Sequence, residues 1–557
     1  MNPKKFFAEL KRRRVYSVAV TYAIVGWLLI QVVTQVFPPF EIPNWGERLA
    51  IVTILLGFPI ALILAWIYDF TSHGIVRTSD AELKVRTKGA EPPSSTERSI
   101  AVLPFNDLSP AKDHDYFSDG IAEELLGALA KVDGLRVAAR RSSFWFKDKQ
   151  AELGEIASKL NVGHVLEGSV RRDGNRVRVT AELIDASDGF TLWSETYERE
   201  MHGIFALQDE ITHSIVDALK LNLDISAPPA LHNTEAYEAY DAYLQGLFYS
   251  DKSTEDELRK SLEFFQDALA IDPKFSRAWT GIAKTWLWLA DSYVPPLEAY
   301  PKVRDAAVRA LELDDEEAEA HVYLAETKRI LDWDLDGAEA EFNRAVEIDP
   351  NSTPSNYFVA ALHAARGNRD KALEYLQRTS KIDPASLWVS NFACELYRYF
   401  GLYDEATAAG ERALQLDPTF AHYGEPALAA LYREMGRFDD AIALYRKARE
   451  FTGRPGFGLA ITYARMKQRK EALETLDAAI AAWGYRPGDA IAHVHVTLGA
   501  HDDAIRELER ACEQRSSSLH GVGIAPEFVP LRSDKRFRSI LQRIGLEPEK
   551  VFAATAT

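Results

Sequence analysis

The sequence has two cysteines and no loop built to cradle a phosphate. Two cysteines cannot form a disulfide framework. Cys394 and Cys512 both stand at small-residue positions of helical runs, so they read as buried packing. No Gly-x-x-x-x-Gly-Lys-Ser/Thr run is present, and no Gly-x-Gly-x-x-Gly follows a strand, which removes the usual nucleotide-binding loops. The acidic residues Asp107, Asp113, Asp115 and Asp119 offer oxygen ligands. Their spacing does not match a calcium loop, no glycine stands where its sharp turn falls, and a solvated loop accounts for them. His493 and His495 are two apart and do not face one another on a helix. No Ser/His/Asp or Cys/His arrangement emerges from spacing. No catalytic residue, cofactor or metal is therefore expected, and the chain does not read as an enzyme.

Charge narrows the partners. The net charge is −18. Residues 1–230 carry 26 Lys+Arg against 30 Asp+Glu, or −4, which leaves −14 for the remainder. An acidic second half argues against nucleic acid, whose binding rests on phosphate neutralisation. It permits a basic protein partner, although a solvated helical surface is the plainer explanation. With 47% apolar residues over 557 positions, the chain is expected to fold as several domains.

Residues 1–14 are basic, with Lys4, Lys5, Lys11, Arg12, Arg13 and Arg14 against Glu9. Residues 15–37 and 49–68 are uncharged runs, each long enough to span a bilayer core. No small-residue cleavage site follows the first, so it reads as an uncleaved span. Arg77, Lys84, Arg86 and Lys88 follow the second run, while the link between the runs is nearly bare of cations. By the positive-inside rule both ends are then cytoplasmic. Residues 69–98 read as a polar linker containing Pro92-Pro93-Ser94-Ser95.

A small α/β unit is expected over 99–225. Ser99 to Phe105 reads as a strand. A helix capped by Ser118 or Asp119 carries Ile121, Leu125, Leu126 and Leu129 on one face. Its Ser118-Asp119-Gly120 start offers backbone N–H groups to an anion, as nearly every capped helix does. Residues 135–139 suggest a second strand and 151–160 a second helix. Val165 to Val170 and Val177 to Ile184 form a hairpin around Asp173-Gly174-Asn175. Residues 191–197 add a strand and 204–221 a closing helix. Arg171, Arg172, Arg176 and Arg178 cluster at the hairpin tip, with Arg140-Arg141 elsewhere in the unit. They suit either anionic headgroups or a charged edge that blocks strand aggregation.

The second half repeats. Asp272, Asp314, Asp349, Asp383 and Asp417 each end a helical run, at separations of 42, 35, 34 and 34 residues. Small residues recur seven apart, as in Ala338 and Ala345, Ala406 and Ala413, Ala441 and Ala448, Ala472 and Ala479, and Ala504 and Ala511. Between them fall Phe342, Tyr445, Leu476 and Leu508, and the first helices carry Trp286, Tyr397, Tyr432 and Tyr463. This pattern resembles the tetratricopeptide repeat (TPR) family, with one helix pair per 34 residues. About eight hairpins are expected over 237–514. Over 524–548 a cap is expected, with Phe537, Ile540, Leu541 and Ile544 covering the last repeat.

The run AVLPFNDLSPAKDHDYFSDGIAEELLGAL, then LRVAARRSSF, then HVLEGSVRRDGNRVRVTAELIDASDGFTLWSETYERE, resembles the TolB amino-terminal-like, or FlgO-like, domain. In bacterial proteins of this kind the domain is joined to TPRs. FFAELKRRRVYSVAVTYAIVGWLL and WIYDFTSHGIVRT look like the membrane-anchored members. Some relatives carry a nucleotide cyclase domain or a DNA-binding winged helix ahead of it, whereas residues 1–98 here are taken up by two spans and a linker.

The expected fold is thus multidomain: a two-helix transmembrane hairpin, a small α/β unit and an all-α TPR solenoid. The expected function is a non-enzymatic scaffold or adaptor in the bacterial inner membrane, multi-pass, with its soluble domains cytoplasmic. The resemblance implies a protein or peptide partner in the solenoid groove, lined from the first helices by Trp279, Tyr323, Tyr357, Asn391 and Tyr432. The alternatives are a regulatory component of a nucleotide cyclase or transcription system, and a cell-envelope assembly factor if the soluble part is periplasmic.

Overall fold

The computed structural model describes residues 68–71, 74–77 and 99–555, except 110–114, 133, 148, 150, 202–203, 224–233, 235, 253, 291–292, 419–425, 454 and 483–486. Two compact units emerge, 1–94 and 95–557. In the first, β1 (Tyr68–Thr71) pairs antiparallel with β2 (Gly74–Arg77). This strand pair lies where the sequence suggests the end of a span and a polar linker. Residues 15–37 and 49–67 of the two expected spans lie outside the described residues. Among those described, no helix is long and apolar enough to cross a membrane.

The second unit begins with a six-stranded sheet of order β5-β3-β6-β7-β8, with β4 beside β6. Its strands are β3 (Ser99–Val102), β4 (Asn106–Asp107), β5 (Arg136–Val137), β6 (His164–Asp173), β7 (Arg176–Asp185) and β8 (Thr191–Glu200). β3 is parallel to β5 and β6, and β6 to β8 form an antiparallel meander. Alternation along β3 explains its burial on both sides. Ile100 and Val102 join a core with α1 (Asp115–Ala130) and α4 (Ile204–Leu223), while Ala101 and Leu103 join α3 (Leu153–Leu160).

The start of α1 departs from expectation. The helix begins at Asp115, so Ser118-Asp119-Gly120 lies within it and is buried. Its N–H groups are not a free anion site. A Cβ at Gly120 would lie 2.7 Å from Leu244 of the first repeat, so the glycine sets a close helix approach.

Eight helix pairs follow: α5 (Tyr237–Ser250) with α6 (Glu255–Ile271), α7 (Ser276–Leu289) with α8 (Pro296–Leu313), α9 (Ala318–Thr327) with α10 (Leu335–Ile348), α11 (Thr353–Ala365) with α12 (Arg369–Ile382), α13 (Leu387–Tyr399) with α14 (Tyr403–Leu416), α15 (Ala427–Glu434) with α16 (Phe438–Thr452), α17 (Phe457–Arg465) with α18 (Arg469–Ala482), and α19 (Gly488–Thr497) with α20 (His501–Gln514). Ala338, Ala345, Ala406, Ala413, Ala441, Ala472, Ala479, Ala504 and Ala511 are all fully buried. They let the paired helices approach, which is what the seven-residue spacing requires.

The closing aspartates are C-caps. Asp272, Asp314 and Asp349 each accept the backbone N–H two residues on, at 3.0, 3.0 and 2.9 Å. Such a turn stops the helix and reverses the chain. The C-terminal segment adds single-turn helices Ser517–Gly521 and Pro526–Leu531, then α21 (Lys535–Arg543) and α22 (Pro548–Ala554). Asp534 caps α21 by accepting the Arg536 N–H. Phe537, Ile540, Leu541 and Ile544 are buried.

Candidate functional site: a cavity between the sheet unit and the repeats

The α/β unit does not hang free of the solenoid. α1 packs on α5, and Glu124 pairs with Arg277 at 2.5 Å. Across the sheet, α2 (Arg140–Phe144) reaches the turn between the fourth and fifth repeats. There the Ser142 hydroxyl donates to Asp383 Oδ1 at 2.5 Å and accepts the Ala385 N–H at 2.7 Å. The Trp145 indole N–H donates to the Leu416 carbonyl at 3.2 Å. The solenoid therefore grips the unit at both ends of its inner wall.

Between these grips lies a cavity of about 500 Å³. The α/β unit supplies Glu123, Leu126 and residues 137–141. The first helices of the repeats supply Trp288, Tyr323, Tyr357 and Trp388, and Ser517 reaches in from the C-terminal segment. Aromatic rings dominate one side. Tyr357 stacks on Trp388 with centroids 3.7 Å apart, and the Arg141 guanidinium lies 5.7 and 5.6 Å from the centroids of Trp288 and Trp388.

Charges in the wall are largely paired. Arg140 meets Glu123 at 2.9 Å and also Asp251, and Lys284 meets Asp251 at 3.2 Å. Burial would raise the Asp251 pKa, but Arg140 and Lys284 outweigh it and hold the carboxyl well below its usual range. Arg329 forks onto Glu326 at 2.8 and 2.6 Å. Glu319 accepts the Tyr323 hydroxyl at 2.8 Å. Burial pushes Asp349 and Asp383 up; Glu319 adds to the shift at Asp349, and the Ser142 hydrogen bond opposes it at Asp383.

A second cavity, about 220 Å³, sits between the later repeats and the Pro526–Leu531 turn. Its wall holds Arg398, Arg433, His493 and Glu527 in one ionic cluster.

The five groove residues expected from the sequence divide. Tyr323 and Tyr357 line the large cavity, and Asn391 lines the small one. Asn391 also accepts the Ala427 N–H at 2.8 Å. Trp279 and Tyr432 face neither cavity. Tyr357 and Asn391 stand eight residues after the closing Asp349 and Asp383, whereas Trp279 stands seven after Asp272. One step turns a side chain about 100° around the helix. Tyr432 shares the repeat position of Tyr397, and both pack between helices. Sequence reasoning missed Trp388. It precedes Asn391 by three residues and so shares its helix face, which was the available signal.

Two of the four hairpin arginines are closely paired within the protein. Arg172 pairs with Asp241 at 2.9 Å, and Arg178 pairs with Glu198 at 2.7 Å. Asp119 pairs with Lys147 at 2.6 Å, and Asp107 accepts the Ser109 N–H. Asp113 lies outside the described residues. His493 meets Glu527 at 3.1 Å, a carboxylate that spacing along the chain does not reveal.

Residues 96–214 match the family model of the HilA/YgeH-like transcriptional regulator, second domain, and residues 427–450 match a tetratricopeptide repeat. A curated relative from Rhizobium meliloti (strain 1021), called "Putative adenylate cyclase 3", is 38% identical over 201 residues. That stretch is 35% of this chain and 34% of the relative, so the chain spans about a third of the curated protein it matches. Among solved structures, a human IFIT1 dimer with m7Gppp-AAAA is similar at 15% identity and a TM-score of 0.39, over 56% of this chain and 78% of that one. A tetratricopeptide repeat protein from Parabacteroides merdae ATCC 43184 is similar at 15% identity and a TM-score of 0.33, over 48% and 100%.

Proposed function

We propose that this chain is a non-enzymatic regulatory scaffold, tethered to the bacterial inner membrane by residues 15–37 and 49–68, whose solenoid recruits a protein partner. The observation that carries the reading is the grip on the α/β unit. The repeats hold a folded protein surface through specific hydrogen bonds between residues 241 to 271 positions apart. Recognition of folded protein is therefore something this inner wall does for its own chain. Tethering then confines a partner to the membrane plane and raises its effective concentration. In this reading residues 99–225 are a TolB amino-terminal-like stem that presents the solenoid from the membrane.

The decisive experiment is a pair of fusions after residue 92, to green fluorescent protein and to alkaline phosphatase. Fluorescence without phosphatase activity, together with recovery in the membrane fraction, supports a cytoplasmic scaffold on a two-span anchor. Phosphatase activity without fluorescence overturns the cytoplasmic placement and favours an envelope-assembly role.

A second reading is favoured by the comparisons. The stretch shared with the protein called an adenylate cyclase, and the match to a transcriptional-regulator domain, support a partner that is a separately encoded cyclase or transcription regulator. Deletion should then change cyclic-nucleotide levels, with restoration by the wild-type chain. Unchanged levels across growth conditions would remove the cyclase branch.

A further inference from the structure

The large cavity has a chemistry that recruitment does not use. Of the charged residues in its wall, Arg140, Arg141, Lys284 and Arg329 face six carboxylates: Glu123, Glu319, Glu326, Asp251, Asp349 and Asp383. Asp251, Glu123 and Glu326 are held in ion pairs with Arg140, Lys284 and Arg329. The others accept only neutral donors in the bonds described above: the Tyr323 hydroxyl, the Asn351 N–H and the Ser142 hydroxyl. Two buried polar atoms are imperfectly satisfied in the same wall. Asp383 Oδ2 and Thr353 Oγ1 face one another without full hydrogen-bond geometry, with the residues 1% and 8% exposed, and the Arg141 charge reaches the Asp383 carboxyl. A buried carboxylate oxygen with a poorly aligned donor remains costly, and a ligand's N–H groups relieve that cost.

The aromatic side supplies the complementary face. Aromatic rings attract cations through their quadrupoles. Arg141 already rests against Trp288 and Trp388 within the cation–π range. Acceptor-only oxygens facing aromatic rings select a cation that carries several N–H donors. A phosphate or carboxylate ligand would meet the excess carboxylates instead.

We propose that this cavity binds a small organic cation bearing a primary ammonium or guanidinium group. The N–H groups lie toward Glu319, Asp349 and Asp383, and the carbon skeleton lies along Tyr357 and Trp388. Both units line the site, so an occupied cavity ties the α/β unit to the repeats. The chemistry is shared by free amines and by the end of an arginine or lysine side chain, and the two sources separate in the test.

The test is calorimetric titration of the full-length chain in detergent micelles. The probes are agmatine, tetramethylammonium, an Arg-containing tripeptide and cyclic AMP. Agmatine is expected to bind saturably, one per chain. Tetramethylammonium, which has no N–H, binds about tenfold more weakly or not at all. Agmatine without the tripeptide identifies a free amine, and the tripeptide binding at least as well identifies a side-chain source. Glu319→Gln keeps an acceptor for the Tyr323 hydroxyl and should weaken agmatine about tenfold, as should Asp383→Asn. Thermal midpoints without ligand show that each variant is folded. No agmatine or tripeptide binding up to about 10 mM overturns the proposal, as does cyclic AMP binding more tightly, or unchanged affinity in a folded Glu319→Gln chain. The titration needs no protein partner, so its failure leaves the scaffold reading standing.

Discussion

Ser142 sits inside the turn that Asp383 makes. At the equivalent turns Asp272, Asp314 and Asp349 bond the N–H two residues ahead within their own turn. At Asp383 the corresponding N–H, that of Ala385, goes to Ser142 Oγ, and the Ser142 hydroxyl goes to Asp383. One hydroxyl from the α/β unit has entered a repeat turn and completed it. Ser142→Ala therefore leaves the buried Ala385 N–H without its partner and takes one donor from Asp383. The expected loss is about 1–3 kcal/mol. Urea unfolding of the full chain measures it, and hydrogen exchange over residues 139–147 locates it. A double-mutant cycle with Asp383→Asn should show coupling above about 0.5 kcal/mol. Additive effects would mean that the turn closes without Ser142.

Phe265 is sandwiched by two glycines. A Cβ on Gly246 or Gly281 would lie 2.5 Å from its ring. The ring is fully buried, so it cannot swing out to make room. Gly281→Ala should destabilise by about 1–3 kcal/mol through overpacking, even though alanine favours helix. Replacing the ring by a smaller side chain, in Gly281→Ala with Phe265→Leu, should recover part of that loss. No recovery would place the strain elsewhere.

The repeats were legible because their physics is local and periodic. A closing Asp, a small residue every seventh position and one aromatic between them are enough to define a helix pair, and Asp349, Ala338 and Phe342 occupy those roles. The sheet was legible for the same reason at its hairpin, where Val177, Val179, Ala181 and Leu183 alternate with Arg178, Thr180 and Glu182. The cavity was not. Its parts come from α1, α2, five repeats and Ser517, and nothing in local spacing says that a helix of the sheet unit will face Trp388. Asp383 read only as a helix stop. Its second role depends on Ser142, 241 residues away. Tyr357 was reachable by repeat phase, and Trp279, placed in the groove by the same reasoning, lies one residue out of that phase.

His321 donates to Glu341 at 2.7 Å and meets the Asp315 carbonyl at 3.1 Å, while Lys328 meets Glu341 at 2.8 Å. The Glu341 hydrogen bond raises the His321 pKa above its ordinary 6.5, against burial and Arg344. The same bond, with Lys328, lowers Glu341 from 4.5 to about 2. The histidine's contribution is complete below 6.5 and fades as pH rises through its raised folded value. The glutamate's contribution is complete above 4.5 and fades as pH falls toward 2. The pair should therefore stabilise most between pH 4.5 and 6.5. The stability difference between wild type and His321→Gln, measured by urea unfolding across pH, should peak there at about 1–2 kcal/mol. A difference that grows toward alkaline pH would contradict the assignment.

Glu527 draws three repeats together. It accepts Arg398 at 3.0 Å, Arg433 at 2.7 Å and His493 at 3.1 Å, from α13, α15 and α19. Burial alone would raise its pKa, but Arg398, His493 and Arg433 hold it well below the usual carboxylate range. Arg398 also pairs with Glu434, so removing Glu527 leaves two guanidiniums and an imidazole around one remaining carboxylate. A buried pair broken from one side is expensive because the remaining charge stays desolvated. Glu527→Gln should thus destabilise by about 3–5 kcal/mol, and adding Arg433→Met should return part of it by removing one stranded charge. The second step separates electrostatics from packing. If Arg433→Met worsens the Glu527→Gln chain by as much as it worsens wild type, Glu527 serves the cap by shape alone. A partial rescue would identify it as the counter-charge that fastens the C-terminal segment to the inner wall of the repeats.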